Sequence, residues 1–255
     1  MGRIIKFVLL NILRNKIVIA YTLILAMLAW SVFLLEDSTS KGVISMLNSM
    51  LLIVPLVSII FSNIYIYNSA EFIELMVSQP VKRSKIWISL FIGLALALSG
   101  AFLVGAGIPI LLYVTEISGL MLVIGGILLT VIFIALAMLC GVLSRDKAKG
   151  IGISIMMWLF FSLLFDGILL FFMFQFSEYS IEKILLGFIL FNPVDLARIL
   201  VLLQLDISAL LGYTGAIFKE FLGSKTGILI SIVSLCLWCI VPFAWSLLQF
   251  NKKDL

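Results

Sequence analysis

Histidine is absent from the 255 residues, and only 12% of them are charged. Without an imidazole, histidine-assisted serine and cysteine hydrolases are excluded, as are histidine-ligated haem and zinc sites. A soluble domain usually carries about 25% charged residues. Hydrophobic residues make up 64% of this chain, more than a fold of its length could bury from water. The composition therefore predicts an integral membrane protein.

Cysteine is also scarce, and all three residues lie in apolar segments: Cys140, Cys236 and Cys239. This placement does not fit an extracellular disulfide framework. Cys236 and Cys239 stand one helical turn apart and offer two soft ligands to copper or zinc, but further ligands would have to come from elsewhere. Helix packing is the better interpretation for them and for the ten methionines. Whether any of them touches metal stays open.

A phosphate-binding loop is missing as well. The nearest match, Gly223-Ser224-Lys225-Thr226, has serine where the motif needs its second glycine. We therefore expect no ATPase or other catalytic site and no resident cofactor in this chain. If ATP drives its action, another polypeptide must bind ATP and Mg²⁺.

The chain consists instead of apolar blocks of about 20 residues, the length of a membrane-crossing helix. An α-helix satisfies every backbone hydrogen bond internally, as hydrocarbon demands. The blocks predict a single all-α membrane domain over residues 1–255. Its six transmembrane helices are predicted at Ile17–Leu35, Val43–Tyr67, Ile86–Tyr113, Leu120–Leu143, Ile151–Phe174 and Ile228–Gln249.

Lysine and arginine predict the orientation of these spans. They gather on one side of the membrane, whereas the short loops on the other side contain only Lys41. The positive-inside rule therefore places both termini in the cytoplasm. Because the basic residues flank spans embedded in the lipid bilayer, nucleic acid is not an expected partner.

Residues 1–16 predict an amphipathic helix lying at the cytoplasmic interface, because apolar and basic residues occupy opposite faces. The alternative is that they are only the basic flank of the first span. The apolar face consists of Ile4, Ile5, Val8, Leu9, Ile12 and Leu13.

The candidate pathway consists of polar residues inside spans. Asn48, Ser58 and Ser62 share one arc of the second span, and polar groups there face other helices or a water-filled path. Ordinary packing explains that arc equally well. Asp166 is the only acid well inside a predicted span. It is a candidate for transport, although a structural hydrogen bond is favoured because it lies toward the outer end of its helix.

The third span contains a ladder of small residues, Gly93, Ala97, Ala101 and Gly105. Such a ladder allows another helix backbone to approach closely. Contact within the chain and contact with a second copy are equally compatible with it. Pro109, near the outer end, is predicted to bend or break the helix.

The segment between the second and third spans predicts a short cytoplasmic helix. Asn68 and Glu71 have the spacing of a capping box, apolar residues follow from Phe72 to Val77, and Pro80 ends the helix. A capped helix with exposed apolar groups at the membrane predicts a surface for a partner. A loop helix resting on lipid headgroups is the alternative.

The longest segment between spans, residues 175–227, predicts short helices over the outer end of the bundle. Asn192-Pro193-Val194-Asp195 places an N-cap, a proline at the first helical position and an acid in the first turn. Asp206 is predicted to cap a second short helix.

These features together resemble the ABC-2 type permeases. The resemblance is carried by the six spans, the basic first helix and the motif from Asn68 to Leu75 with Ser78-Gln79-Pro80-Val81-x-Arg83. It implies a homodimer that works with cytoplasmic ABC ATPase subunits in the bacterial inner membrane. The cytoplasmic helix would then be the coupling helix that docks on the ATPase. The residues assigned to coupling are Glu71, Phe72, Glu74, Leu75, Pro80 and Arg83.

Two outer motifs, from Asn192 to Arg198 and from Gly212 to Ala216, are similar to the permeases of nitrous-oxide-reductase assembly transporters. This likeness implies a role in maturation of the copper centres of that enzyme, with a periplasmic β-helix protein as partner. The residues assigned to the outer gate or to partner contact are Asn192, Pro193, Asp195 and Arg198. An ion pair between Asp195 and Arg198 is an equally good explanation. The alternatives are an ABC-2 exporter of a lipid, polymer or drug, and a scaffold or secondary transporter without an ATPase.

Overall fold

The computed structural model describes residues 2–176, 187–205 and 225–252, and every regular element in these ranges is a helix. The α-helices are α1 (Gly2–Leu13), α2 (Lys16–Leu35), α3 (Thr39–Asn68), α4 (Ala70–Val77), α5 (Arg83–Phe102), α6 (Ile108–Tyr113), α7 (Ile117–Leu143), α8 (Lys147–Leu159), α9 (Phe165–Gln175), α10 (Pro193–Leu202) and α11 (Lys225–Lys252). Two π-helical turns, π1 (Leu103–Gly107) and π2 (Phe160–Leu164), join α5 to α6 and α8 to α9.

Six helices in the described residues are long and apolar enough to cross a membrane, which confirms the six predicted spans. They are span 1 (Lys16–Leu35), span 2 (Thr39–Asn68), span 3 (Arg83–Tyr113), span 4 (Ile117–Leu143), span 5 (Lys147–Gln175) and span 6 (Gly227–Lys252). Spans 1, 2, 3 and 5 begin before the predicted blocks because polar or charged residues complete their first turns. The predicted cap at Asp206 and the motif from Gly212 to Ala216 lie outside the described residues.

The spans alternate in direction, which gives the bundle two distinct ends. At one end, called the α4 end, Phe7 of α1 stacks on Phe72 of α4 with ring centroids 5.2 Å apart. Ser84 donates a hydrogen bond there to Asn251 of α11, at 3.1 Å. The opposite end, called the α10 end, is where α10 contacts the second half of span 5.

Span 4 is the central helix. It is the most apolar of the six spans, and two thirds of its apolar stretch is buried. A helix that is apolar on every side requires protein neighbours all round, and α7 packs against α3, α5, α8, α10 and α11. Span 5 lies at the periphery, with only 11% of its apolar stretch buried.

The predicted amphipathic helix is present as α1, and part of its apolar face contacts protein. Val8 and Ile12 are fully buried, since α1 packs against α5. Phe7, Leu10 and Leu13 are exposed on the other side of the helix. The helix therefore belongs to the bundle and also presents apolar side chains outward.

The small-residue ladder of span 3 is used within the chain. A Cβ atom added at Gly93 would lie 2.5 Å from Val8 Cγ1, and one added at Gly105 would lie 2.7 Å from the carbonyl oxygen of Thr22. The ladder thus allows α1 to pack closely at Gly93 and α2 to pack closely at Gly105. Span 3 does not break at Pro109, because that residue occupies the first turn of α6, directly after π1.

The buried residues of α3 are not confined to the predicted polar arc. Ser58 and Ser62 are fully buried, as expected, but Asn48 is exposed. Met46 and Met50 are also fully buried. The reason is that α3 packs on both α7 and α8, so that neighbours cover more than one side.

Candidate coupling helix and ion-pair cluster

The predicted capping box at the start of α4 is wrong. Only one residue, Ser69, separates α3 from α4. Asn68 is therefore still the last residue of α3 and cannot adopt the extended N-cap backbone. Ser69 is the N-cap instead, without a side-chain hydrogen bond, and its carbonyl oxygen accepts from Ile73 N at 2.9 Å.

Helix α4 is anchored on one face and open on the other. Ile73 is buried and Phe72 stacks on Phe7 of α1. Glu71, Glu74 and Leu75 are exposed, and Leu75 retains 65% of its accessible surface. Four of the six predicted coupling residues therefore lie together on α4. The other two lie nearby, Pro80 exposed in the link after the helix and Arg83 at the first position of α5.

Side-chain contacts join the end of α3 to the C-cap of α7 and to the start of span 5. Lys147 Nζ donates to Asn68 Oδ1 at 2.8 Å, and Tyr67 Oη donates to the carbonyl oxygen of Ser144 at 3.0 Å. Deeper in the bundle, Asn63 Nδ2 donates to Ser154 Oγ at 2.5 Å. These contacts connect the α3–α4 corner to α8.

A cavity of about 280 Å³ lies between α4 and the bundle. Trp87 of α5 and Phe250 of α11 line it, with ring centroids 4.3 Å apart. Trp87 Nε1 also donates to Ser246 Oγ at 2.8 Å. Glu74 and Arg145 supply charges of opposite sign to the wall.

Asn192 is the N-cap of α10, as the sequence predicts. Its Oδ1 accepts from Val194 N at 3.0 Å, and its Nδ2 donates to Asp195 Oδ2 at 2.7 Å and to the carbonyl oxygen of Phe161 at 2.9 Å. Phe161 belongs to π2. Because Asn192 is fully buried, it joins α10 to the π-helical turn of span 5 in a water-poor setting.

An ion-pair cluster follows one turn later on α10. Arg198 Nη1 lies 2.9 Å from Asp195 Oδ1 and 2.9 Å from Asp166 Oδ2. Burial raises the pKa of Asp195 well above its ordinary value, and the nearby Asp166 carboxylate raises it further, while Arg198 and Asn192 oppose the shift. The cluster thus confirms the predicted local pair and also connects α10 to α9.

Comparison with known proteins identifies the family. Residues 38–255 match the family described as ABC-2 family transporter protein. The chain belongs to the ABC-2 transporter family. This permease is 27% identical over 218 residues to the probable ABC transporter permease protein NosY of Pseudomonas aeruginosa, covering 77% of the permease and 79% of that relative. It is 24% identical over 264 residues to the protein of the same name in Stutzerimonas stutzeri, covering 94% of each.

The structure does not bring the candidate pathway residues of the permease together. Ser58 Oγ and Ser62 Oγ are buried without a hydrogen-bond partner among the described residues. Asn48 lies exposed several turns away on the same helix, and Asp166 is paired with Arg198.

Sequence reasoning missed two polar contacts of the permease, those of Asn63 and Lys147. The signal that could have pointed to the first contact is Asn63 itself, an amide in the second half of the second predicted span. Lys147 was counted only for the positive-inside rule.

Cys236 is exposed and Cys239 half-buried. Among the residues described, no three His, Cys, Asp or Glu side chains form a group able to hold a metal ion.

Proposed function

We propose that α4 is the coupling helix of this permease and that a separate ATPase subunit, which binds ATP and Mg²⁺, docks on it. One observation carries the proposal: α4 exposes Leu75 beside Glu71 and Glu74, while Ile73 and Phe72 hold it to the bundle. An exposed apolar residue flanked by acids suits a basic-rimmed groove on a partner. The chain itself then contributes movement rather than catalysis.

The movement passes from α4 to α10 through span 5. The Lys147–Asn68 and Asn63–Ser154 contacts join α3 to α8, and span 5 reaches the cluster where Asp166 meets Arg198. A rigid helix with contacts at both ends transmits a small shift without unfolding. In this proposal, Asn192, Pro193, Asp195 and Arg198 shape the gate at the α10 end.

The permease further acts as a homodimer in the bacterial inner membrane, with both termini in the cytoplasm and a β-helix protein at the periplasmic α10 end. Its proposed task is maturation of the copper centres of nitrous oxide reductase. Two facts support this task. Both relatives carry the name NosY. The buried Asn192 cap also lies in the motif from Asn192 to Arg198, which is similar to the permeases of nitrous-oxide-reductase assembly transporters.

The test is charge reversal on α4, Glu71→Lys with Glu74→Lys, in the intact transporter. We expect normal membrane insertion but loss of bound ATPase and loss of copper loading of the reductase. Glu116→Lys, an exposed acid in the loop before α7, is the matched control and should retain both. Normal ATPase retention and copper loading in the double variant would refute the coupling role. Export of a lipid, polymer or drug without any effect on the reductase would favour the alternative cargo.

A further inference from the structure

Two carboxyl groups from different helices meet at one guanidinium nitrogen atom. Arg198 Nη1 lies 2.9 Å from Asp166 Oδ2 of α9 and 2.9 Å from Asp195 Oδ1 of α10. The two carboxyl groups also lie within hydrogen-bond distance of each other. A hydrogen bond between them requires a proton on one of the two, because an ionised carboxylate only accepts. The contact between α9 and α10 therefore has a place for one proton.

Charge and burial both favour a proton at this place. With both acids ionised, one arginine would face two carboxylates and leave one negative charge uncompensated. Asp195 is buried, and its remaining donor, Asn192 Nδ2 at 2.7 Å, is neutral. Burial, followed by the Asp166 carboxylate, raises the pKa of Asp195 to about 7. Because Asp166 and Arg198 are partly exposed, a proton can enter and leave the pair.

The other elements packed against α10 do not supply a compensating charge among the side chains that the structure describes. These elements are π2, α3, α7 and α11, and π2 contains no titratable residue. The groups that shift the pKa of Asp195 are Asp166, Arg198 and Asn192. The titratable side chains described on α3, α7 and α11 are not among them: Lys41, Tyr65, Tyr67, Cys140, Cys236, Cys239 and Lys252.

We infer that Asp166 and Asp195 bind one proton between them and that this proton holds α10 against span 5. With the proton bound, one carboxyl group donates to the other, and Arg198 pairs with the remaining carboxylate. Loss of the proton to water removes that hydrogen bond and leaves two carboxylates that repel each other. At these similar distances, the repulsion offsets the attraction of Arg198 for Asp166. Asn192 still donates to the carbonyl oxygen of Phe161, so the start of α10 stays attached while its end is released.

The first measurement detects the proton by infrared spectroscopy of the full-length permease in lipid nanodiscs. Ordinary aspartic and glutamic acids are ionised at about pH 6, so a carboxylic acid band at that pH reports the buried pair. We expect the wild-type band to disappear as the pH rises through the pKa of Asp195. Asp195→Asn should abolish the band, whereas Asp146→Asn, which replaces an exposed acid at the α4 end, is the matched control that should keep it.

Two further variants should move the titration in opposite directions. Arg198→Gln removes the cation that favours ionisation, and the pH midpoint of the band should rise by about 1 unit or more. Asp166→Asn removes the second carboxylate, and the midpoint should fall. Shifts of equal sign would contradict a proton shared by the two acids.

The second measurement follows α10 itself by pulsed electron paramagnetic resonance. Spin labels are placed at Phe174→Cys near the end of α9 and at Gln204→Cys after α10, in a chain whose native cysteines are replaced. We expect the distance distribution to widen above the pKa of Asp195 and to narrow again on acidification. In Asp195→Asn the amide replaces the protonated acid as a donor, so the narrow distribution should persist at every pH.

Both measurements are made without an ATPase subunit, so failure of the proposed coupling role would leave their outcome unchanged. Three results would each overturn the inference: a wild-type protein without the carboxylic acid band at about pH 6, a band that survives Asp195→Asn, or label distances that stay constant while the band titrates.

Discussion

The Arg198 guanidinium lies 2.9 Å from the Asp166 carboxylate, although 32 residues separate them. Asp166 belongs to span 5 and Arg198 to α10, which follows the segment between spans 5 and 6. The pair therefore fixes the position of α10 on the bundle. It also gives an acid in a membrane helix the cationic partner that such acids require.

The strength of this pair can be measured with a double-mutant cycle of Asp166→Asn and Arg198→Gln. The two side chains are 34% and 30% exposed, so solvent screening limits the coupling to about 0.5–1 kcal/mol. Unfolding of the four proteins in detergent micelles gives this value. A coupling of zero would mean that Asp195 alone holds the arginine.

Asn192→Ala should destabilise the protein by about 2–3 kcal/mol, because it removes an N-cap and leaves the buried carbonyl of Phe161 without its donor. Asn192→Asp keeps the cap but places a carboxylate against that carbonyl and Asp195, so it should be at least as harmful. Thermal unfolding of both variants checks this order. Wild-type stability in Asn192→Ala would contradict the assigned contacts.

Gly105→Ala should destabilise the contact between spans 1 and 3 by about 1–3 kcal/mol, since the new Cβ would meet the Thr22 carbonyl oxygen and backbone cannot move aside cheaply. Gly100→Ala on the same span is the matched control. No atom lies within 4 Å of its added Cβ, and the helix should gain about 0.5–1 kcal/mol from alanine. Opposite shifts in unfolding midpoint are therefore expected.

The buried acid makes stability depend on pH. Burial, followed by the Asp166 carboxylate, raises the pKa of Asp195 from 3.8 to about 7. Between these values the folded protein holds a proton that the unfolded chain has released. Stability should therefore fall as pH rises through this window and change little above it.

Asp195→Asn should remove this part of the pH dependence, as measured by unfolding at several pH values. Asp146→Asn, which replaces the exposed acid that caps α8 at the α4 end, should keep the wild-type slope. Equal slopes in wild type and Asp195→Asn would show that Asp195 is ionised in both states.

Hydropathy was sufficient to predict the six spans, because bilayer thickness fixes helix length. The Asn192 cap was also predictable, since capping depends on a few adjacent residues. The helix boundary at Asn68 could not be predicted in this way, because span 2 continues beyond its apolar block and Asn68 is its last helical residue. The pair of Asp166 with Arg198 and the contacts of Asn63 depend on which helices become neighbours. Periodicity within one helix carries no such information.

The π-helical turn within span 5 sets the rotational phase of everything that follows it. Each α-helical residue advances the chain by about 100° around the axis. A π-helical turn holds about one residue more than an α-helical turn, so the residues after it keep nearly the direction they would have in an α-helix with one residue fewer. Converting Phe160–Leu164 to ordinary α-helix without deleting a residue would therefore rotate Asp166 by roughly 100°, away from Arg198. One surplus residue, held in a wider turn, thus decides which way the acid of span 5 points.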